Sequence, residues 1–245
     1  MERLFEARVQ SVCALSPTSV HLDLVVPDFS FQAGQYCELG FSKRNTSAAS
    51  HVEKASSISS AALPNVFFPY SIASAPEEEV VSFCIRTRND DQVTPYIRNL
   101  QLGDQLQLRG PGGAFHFNPT RERPVVWLAT GTGIAPLRSM FRSAIFQERF
   151  VSTCWLFFGV REPSELLYQA EWEASLHERF VPVFSQRGEA FRGQTGYLSE
   201  VLQKQALPWL EMDYYLCGVP ESMSACKTLL SQYGVSKEMI FSESW

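Results

Sequence analysis

The stretch Val125–Pro136, VVWLATGTGIAP, decides how this chain folds. Val125 to Ala129 is a short apolar run closed by glycines, which reads as a strand buried on both faces. Thr130 to Gly133 is a glycine-rich turn. Pro136 then falls in the first turn of a helix, where its missing amide hydrogen breaks no intrahelical bond. Gly131 and Gly133 allow close approach of backbone to a ligand, and the free amides and dipole of the helix start favour an anion such as a pyrophosphate. The string is not GxGxxG, and glycine turns join strand to helix in any open α/β sheet, so alone it fits a purely structural role equally well.

Downstream the same alternation repeats. Buried strands are expected at Cys154–Phe158, Phe180–Phe184, Tyr214–Cys217 and Met239–Phe241. Helices are expected over about 135–148, 164–176, 197–205 and 220–233, the last closed by Gly234. Buried strands alternating with amphipathic helices predict a doubly wound parallel α/β sheet. In YYLCGVP, Cys217 and Gly218 would emerge at the carboxyl edge beside the glycine turn, where such sheets bind ligands. Core packing is the ordinary alternative for a lone cysteine.

Upstream the period is two. Phe5, Ala7 and Val9 alternate with Glu6, Arg8 and Gln10, and Val20, Leu22 and Leu24 with His21 and Asp23. Val81, Phe83 and Ile85, then Leu106 and Leu108, continue the pattern, with turns expected at Ala33–Gly34, Gly103–Asp104 and Gly110–Gly113. Many short antiparallel strands make a barrel or a sandwich. Residues 42–66, rich in Ser and Ala, read as a long insertion, and PTRERP after Asn118 as a linker. Two domains are therefore expected, 1–120 and 121–245. In the first, FPYSIAS offers Tyr70 as a flat amphipathic ring and Ser71 as a small hydroxyl. Thr94–Pro95 resembles a helix start with a hydroxyl cap and exposed amides.

Composition narrows the function classes. The 245 residues are 45% hydrophobic and 19% charged, which excludes collagen, coiled coil and disorder. No apolar run approaches the roughly 18 residues of a membrane span. Twenty-one basic against 26 acidic residues give a net charge of -5, so no global positive field draws the chain to nucleic acid. The six cysteines are scattered singly and the four histidines lie apart, so no metal site or built-in iron cluster is expected. A charged start without an apolar core predicts a cytoplasmic protein. The absence of a GxSxG elbow argues against a hydrolase.

In order, FPYSIAS, GDQLQLRGPGGAF, ATGTGIAP, FFGVREPSELLY and YLCGVPES resemble the successive motifs of the ferredoxin NADP reductase superfamily across nearly the whole chain. The resemblance implies an N-terminal antiparallel Greek-key β-barrel holding a flavin, FAD rather than FMN, and a C-terminal α/β domain taking NADPH or NADH. It implies Tyr70 stacked on the flavin, Ser71 near its N5, and Arg86 and Thr94 on its ribityl and pyrophosphate. Thr130, Gly131, Thr132, Gly133 and Pro136 would form the dinucleotide turn. Cys217 and Gly218 would touch the nicotinamide, Arg161 would bind the coenzyme, and Ser185 and Arg187 would lie towards the adenosine. Glu243 would stand near the hydride path, and Trp245 would cover the flavin and swing aside during turnover.

Two positions depart from the family pattern: Phe68 replaces an arginine that holds flavin phosphate, for which Arg86, Arg88 or Arg98 would substitute, and Ser222 replaces a methionine. Arg187 and Arg192 would suit an adenosine 2′-phosphate, whereas Gln186 and FRGQTGYL resemble NADH-using relatives, so both coenzymes stay open. The implied activity is hydride transfer from NAD(P)H to flavin. Electrons would then pass to a separate ferredoxin, flavodoxin or oxygenase component, docked on Arg86, Arg88, Arg98, Arg121 and Arg123. Free flavin or a ferric chelate is the alternative acceptor, and a non-catalytic flavin-binding module the alternative class. A monomer is expected.

Overall fold

In the computed structural model, residues 3–41, 66–88, 93–186 and 194–244 are described. Most of the 42–66 insertion, Arg187, Arg192 and Trp245 lie outside them.

The first half is a six-stranded antiparallel sheet built from β1 (Arg3–Ser16), β2 (Ser19–Val25), β3 (Tyr36–Phe41), β4 (Val66–Ser71), β5 (Val81–Arg86) and β6 (Gln105–Gly112). Its strands run in the order β4-β3-β6-β1-β2-β5. The bridge between Ile72 and Phe83 joins the two edges, so the sheet closes on itself as a barrel. Ala7, Val9, Leu22, Leu24, Leu39, Leu106 and Leu108 point inward, as a period of two requires. A short helix, α1 (Thr94–Asn99), buries Ile97 against this core.

Three local expectations fail, each for a tertiary reason. Gly110–Gly113 is not a turn: β6 runs on to Gly112, pairing Gly110 with Arg3 and Gly112 with Tyr36. A side chain on Gly112 would meet the Tyr36 ring at 2.9 Å, so glycine here serves close approach. In β5 alternation is lost and Val81 to Ile85 are all buried, because Cys84 faces the second half of the chain. Val93, not Thr94, takes the cap position, and the Thr94 hydroxyl accepts the Arg88 amide at 2.8 Å.

The second half is a parallel sheet of β7 (Val125–Thr130), β8 (Trp155–Val160), β9 (Phe180–Phe184), β10 (Gln194–Thr195), β11 (Asp213–Gly218) and β12 (Ile240–Ser244). The order β10-β9-β8-β7-β11-β12 reverses direction between β7 and β11. One face packs on α2 (Ile134–Arg142), α3 (Ala144–Arg149) and α4 (Gln169–Leu176). The other packs on α5 (Leu198–Gln203) and α6 (Pro220–Gln232), which makes the sheet doubly wound. No helix among the described residues is long and apolar enough to cross a membrane.

Two helices are shorter than their patterns suggest. The expected 135–148 helix breaks at Ser143, whose hydroxyl donates to the Met140 carbonyl at 2.6 Å and draws the backbone out of register. The expected 164–176 helix starts only at Gln169, because Tyr168 adopts a left-handed backbone, φ +57°. That conformation is costly for a bulky residue.

Candidate functional site

The reversal between β7 and β11 opens a crevice at the carboxyl edge of the sheet, where α/β sheets bind ligands. A cavity of about 420 Å³ fills it, within the usual range for small-molecule sites. Thr130, Gly131, Thr132, Gly133 and Gly218 line its floor. Arg161 and Ser185, at the ends of β8 and β9, line its far side, and Arg86 and Arg88 reach in from the barrel. The cavity is thus a contact zone of both halves.

The floor is tightly built. Gly133 lies so near β11 that an added side chain would meet the Cys217 carbonyl oxygen at 2.3 Å. At Gly218, φ is +148°, and a side chain would strike the Thr130 hydroxyl at 2.0 Å. That hydroxyl accepts the Val219 amide at 2.8 Å, so the Thr130 side chain is engaged within the protein. Gly131, at φ +53°, is the opposite: among the described residues only the Arg86 guanidinium, at 4.0 Å, comes near the place of its missing side chain. The backbone there faces open space beside a cation.

Arg86 supplies the direct test of whether the cavity suits an anionic dinucleotide. Among the described residues its buried Nε has no hydrogen-bond partner. A buried, partnerless guanidinium nitrogen costs roughly 1–3 kcal/mol and marks a site completed by something else. A donor beside open glycine backbone and a helix start fits a pyrophosphate. Pro136 is buried within α2 and does not line the cavity.

A second group of residues gathers where the barrel ends meet β11 and β12. Cys217 pairs in register with Ala129 on one side and Glu243 on the other. Glu243 Oε1 lies 3.6 Å from where a Gly113 side chain would begin, and the Tyr36 ring lies 3.0 Å from that point. Tyr36 pairs with Ser71, and Cys37 with Tyr70. The backbone therefore runs from Tyr70 and Ser71 through Tyr36 and Gly113 to Glu243 and Cys217. Tyr36 is a residue the sequence reading missed, since nothing in its local pattern separates it from any strand aromatic. Burial pushes the Glu243 carboxyl up to about 7, and its Oε2 has no partner among the described residues. A carboxyl so placed exchanges its proton near neutral pH.

Thr94 is buried under Arg88, outside the cavity lining. Phe68 sits in an apolar group, its ring 6.5 Å from Phe41, which in turn lies 6.1 Å from Tyr96. Arg121 and Arg123 do not join the other arginines in one docking patch. They pair with Asp213 at the start of β11, the opposite edge of the sheet, with Arg121 Nη2 at 2.8 Å.

Two family models match the chain in series: the oxidoreductase FAD-binding domain over residues 49–117 and the oxidoreductase NAD-binding domain over residues 127–228. The chain belongs to the ferredoxin NADP reductase superfamily. It is similar to the naphthalene 1,2-dioxygenase system ferredoxin–NAD(P)(+) reductase component of Pseudomonas putida, at 28% identity over 89% of this chain and 61% of that one. It is also similar to ferredoxin–NADP reductase B of Sorangium cellulosum, at 28% identity over 98% of this chain and 97% of that one. A ferredoxin NADP+ reductase structure from Neisseria gonorrhoeae with bound FAD and NADP superposes with a TM-score of 0.81, at 22% identity and 98% coverage of both chains. The chain spans 61% and 52% of the lengths of two dioxygenase-linked curated relatives.

Proposed function

We propose that the protein is an NAD(P)H oxidoreductase, with residues 1–120 holding FAD and residues 121–245 holding the nicotinamide coenzyme. The partnerless Arg86 nitrogen beside the open Gly131 backbone carries this reading. When bound, the flavin supplies hydride acceptance and the onward relay of electrons. The chain's own residues bind, orient and exclude water. Arg86, expected on the flavin's pyrophosphate, lines the same cavity as the glycine turn, and in this reading it and the amides of Gly131 to Gly133 hold the coenzyme pyrophosphate instead. Arg161 and Ser185 face its adenosine end. The backbone from Cys217 to Gly218, pressed against Gly133, sets the depth of the nicotinamide. Tyr70 and Ser71 seat the flavin ring, with Thr94 supporting the strand that carries Arg86. Glu243 holds a proton beside that contact and releases it as pH rises through about 7.

The electron acceptor in this reading is a separate cytoplasmic protein, a ferredoxin, flavodoxin or oxygenase component; dioxygenase-linked relatives support a partner of that kind. The apolar surroundings of Phe68 favour a second reading, in which flavin is held less tightly and leaves as a reduced product. The test is direct. Protein isolated or reconstituted with FAD should be yellow, and anaerobic NADPH or NADH should bleach it. Protein that retains no flavin and shows no bleaching with FAD added overturns the proposal.

A further inference from the structure

Arg138 lies on α2, five residues beyond Gly133 and therefore about 7.5 Å along the same helix that begins at the dinucleotide turn. Its side chain is only 10% exposed, deep between barrel and sheet. Nη1 donates to the carbonyl of Ala73, two residues past Ser71, at 3.0 Å. Nε donates to Glu171 of α4 at 2.7 Å. The guanidinium plane covers the Tyr168 ring, 4.2 Å from its centre.

Tyr168 continues the connection into the barrel. Its hydroxyl meets His21 Nδ1 of β2 at 2.9 Å, and His21 Nε2 meets Asp23 at 2.8 Å. In the tautomer that donates Nε2–H to the carboxylate, Nδ1 accepts a hydrogen bond from the Tyr168 hydroxyl. Burial alone would raise the Asp23 carboxyl, but hydrogen bonds from His21, Ser11 and Ser82 hold it well below the usual carboxylate range. The Ser82 carbonyl accepts the Ala73 amide at 2.7 Å, and the Ser82 amide donates to the Ser74 hydroxyl at 2.9 Å. On the same turn of α2, the Ser139 hydroxyl accepts the Gly34 amide at 3.3 Å.

One rigid helix thus begins at the coenzyme turn and is fastened, one and a half turns on, to the backbone just past the flavin strand. The left-handed Tyr168 backbone is a strained conformation that these contacts hold in place. We propose that Arg138 and Tyr168 are positioning residues that fix the separation between the strand ending at Ser71 and the glycine turn, and with it the distance at which the two bound rings meet. The inference rests on the functional reading above. Hydride transfer needs reacting atoms about 3–3.5 Å apart, so loosening this fastening slows transfer while leaving each ligand's own contacts intact.

The test uses Arg138→Met and, on the same helix, Arg142→Met, which removes only the more exposed pairs to Glu78 and Glu171. In flavin-free protein, hydrogen exchange at the Gly34, Ala73 and Ser82 amides should rise about tenfold or more in Arg138→Met and stay within about twofold in Arg142→Met, whose pair with Glu78 lies at the neighbouring Ala75–Glu78 turn. With flavin bound, the single-turnover reduction rate should fall about tenfold in Arg138→Met, while the coenzyme Kd stays within about threefold. Unchanged exchange in a folded Arg138→Met protein overturns the proposal, as does an equal effect in Arg142→Met. If Arg138→Met does not fold, Tyr168→Phe replaces it; removing that single hydroxyl should raise exchange over 71–83 about threefold, and no rise overturns the proposal. The exchange arm needs no flavin. A wild-type protein that never reduces flavin therefore refutes the functional reading without deciding the positioning claim, which exchange decides alone.

Discussion

Replacing Arg86 with alanine should weaken coenzyme binding far more than it weakens the fold. Two unit charges 4 Å apart at an effective dielectric near 20 interact by about 4 kcal/mol, and desolvation cancels part of that. A charge-assisted hydrogen bond to phosphate is worth a net ~1.5–3 kcal/mol, or a roughly 10- to 150-fold rise in Kd. The fold should scarcely notice, because the buried Arg86 Nε has no partner among the described residues to lose. Arg88, exposed at the rim, should matter about threefold or less on replacement. Equilibrium titration of each variant with NADPH and with NADH, alongside a thermal melt, measures both quantities. A folded Arg86→Ala protein with wild-type affinity for both coenzymes would refute the assignment of this arginine to the pyrophosphate.

Glu243→Gln should flatten the pH dependence of flavin reduction, which in the wild type should show a step near pH 7. In the folded chain this carboxyl ionises later than in the unfolded chain. It therefore weakens the fold as pH rises from about 4.5 to about 7, and the glutamine variant should lose that part of the slope in melting curves. Asp213→Asn removes the buried partner of Arg121 and Arg123, both of which still reach solvent, and should cost about 1–3 kcal/mol in denaturant titrations, with coenzyme Kd unchanged because the pair lies at the far edge of the sheet. Thr130→Val removes the acceptor of the Val219 amide; about 1 kcal/mol of stability and several-fold in coenzyme affinity should go together. Phe68→Arg should slow flavin loss during gel filtration, and unchanged retention would count against a phosphate near that position.

Much of this was legible in the chain because the information is local. Ala7, Val9, Leu22 and Leu24 alternate strictly, and only a half-buried strand satisfies that spacing. VVWLA followed by GTG announces a buried strand and a close backbone approach, and Gly133 against the Cys217 carbonyl is that approach. What stayed illegible depends on partners distant in sequence. Tyr168 leaves the helical region because Arg138 and His21, from other elements, hold its ring and hydroxyl. Cys84 is buried on an outward face because the sheet domain covers it. Arg121 and Arg123 looked available for docking, but Asp213, some 90 residues on, already holds them. Tyr36 joins the site only because β3 lies between β4 and β6.

The central claim is that this cleft brings nicotinamide and flavin rings to transfer distance. Stopped-flow mixing of the flavin-loaded protein with NADPH or NADH carrying deuterium at C4 tests it most directly. The account predicts that the visible flavin band bleaches in one turnover and that deuterium slows the bleaching. A band that persists under saturating amounts of both coenzymes would contradict it.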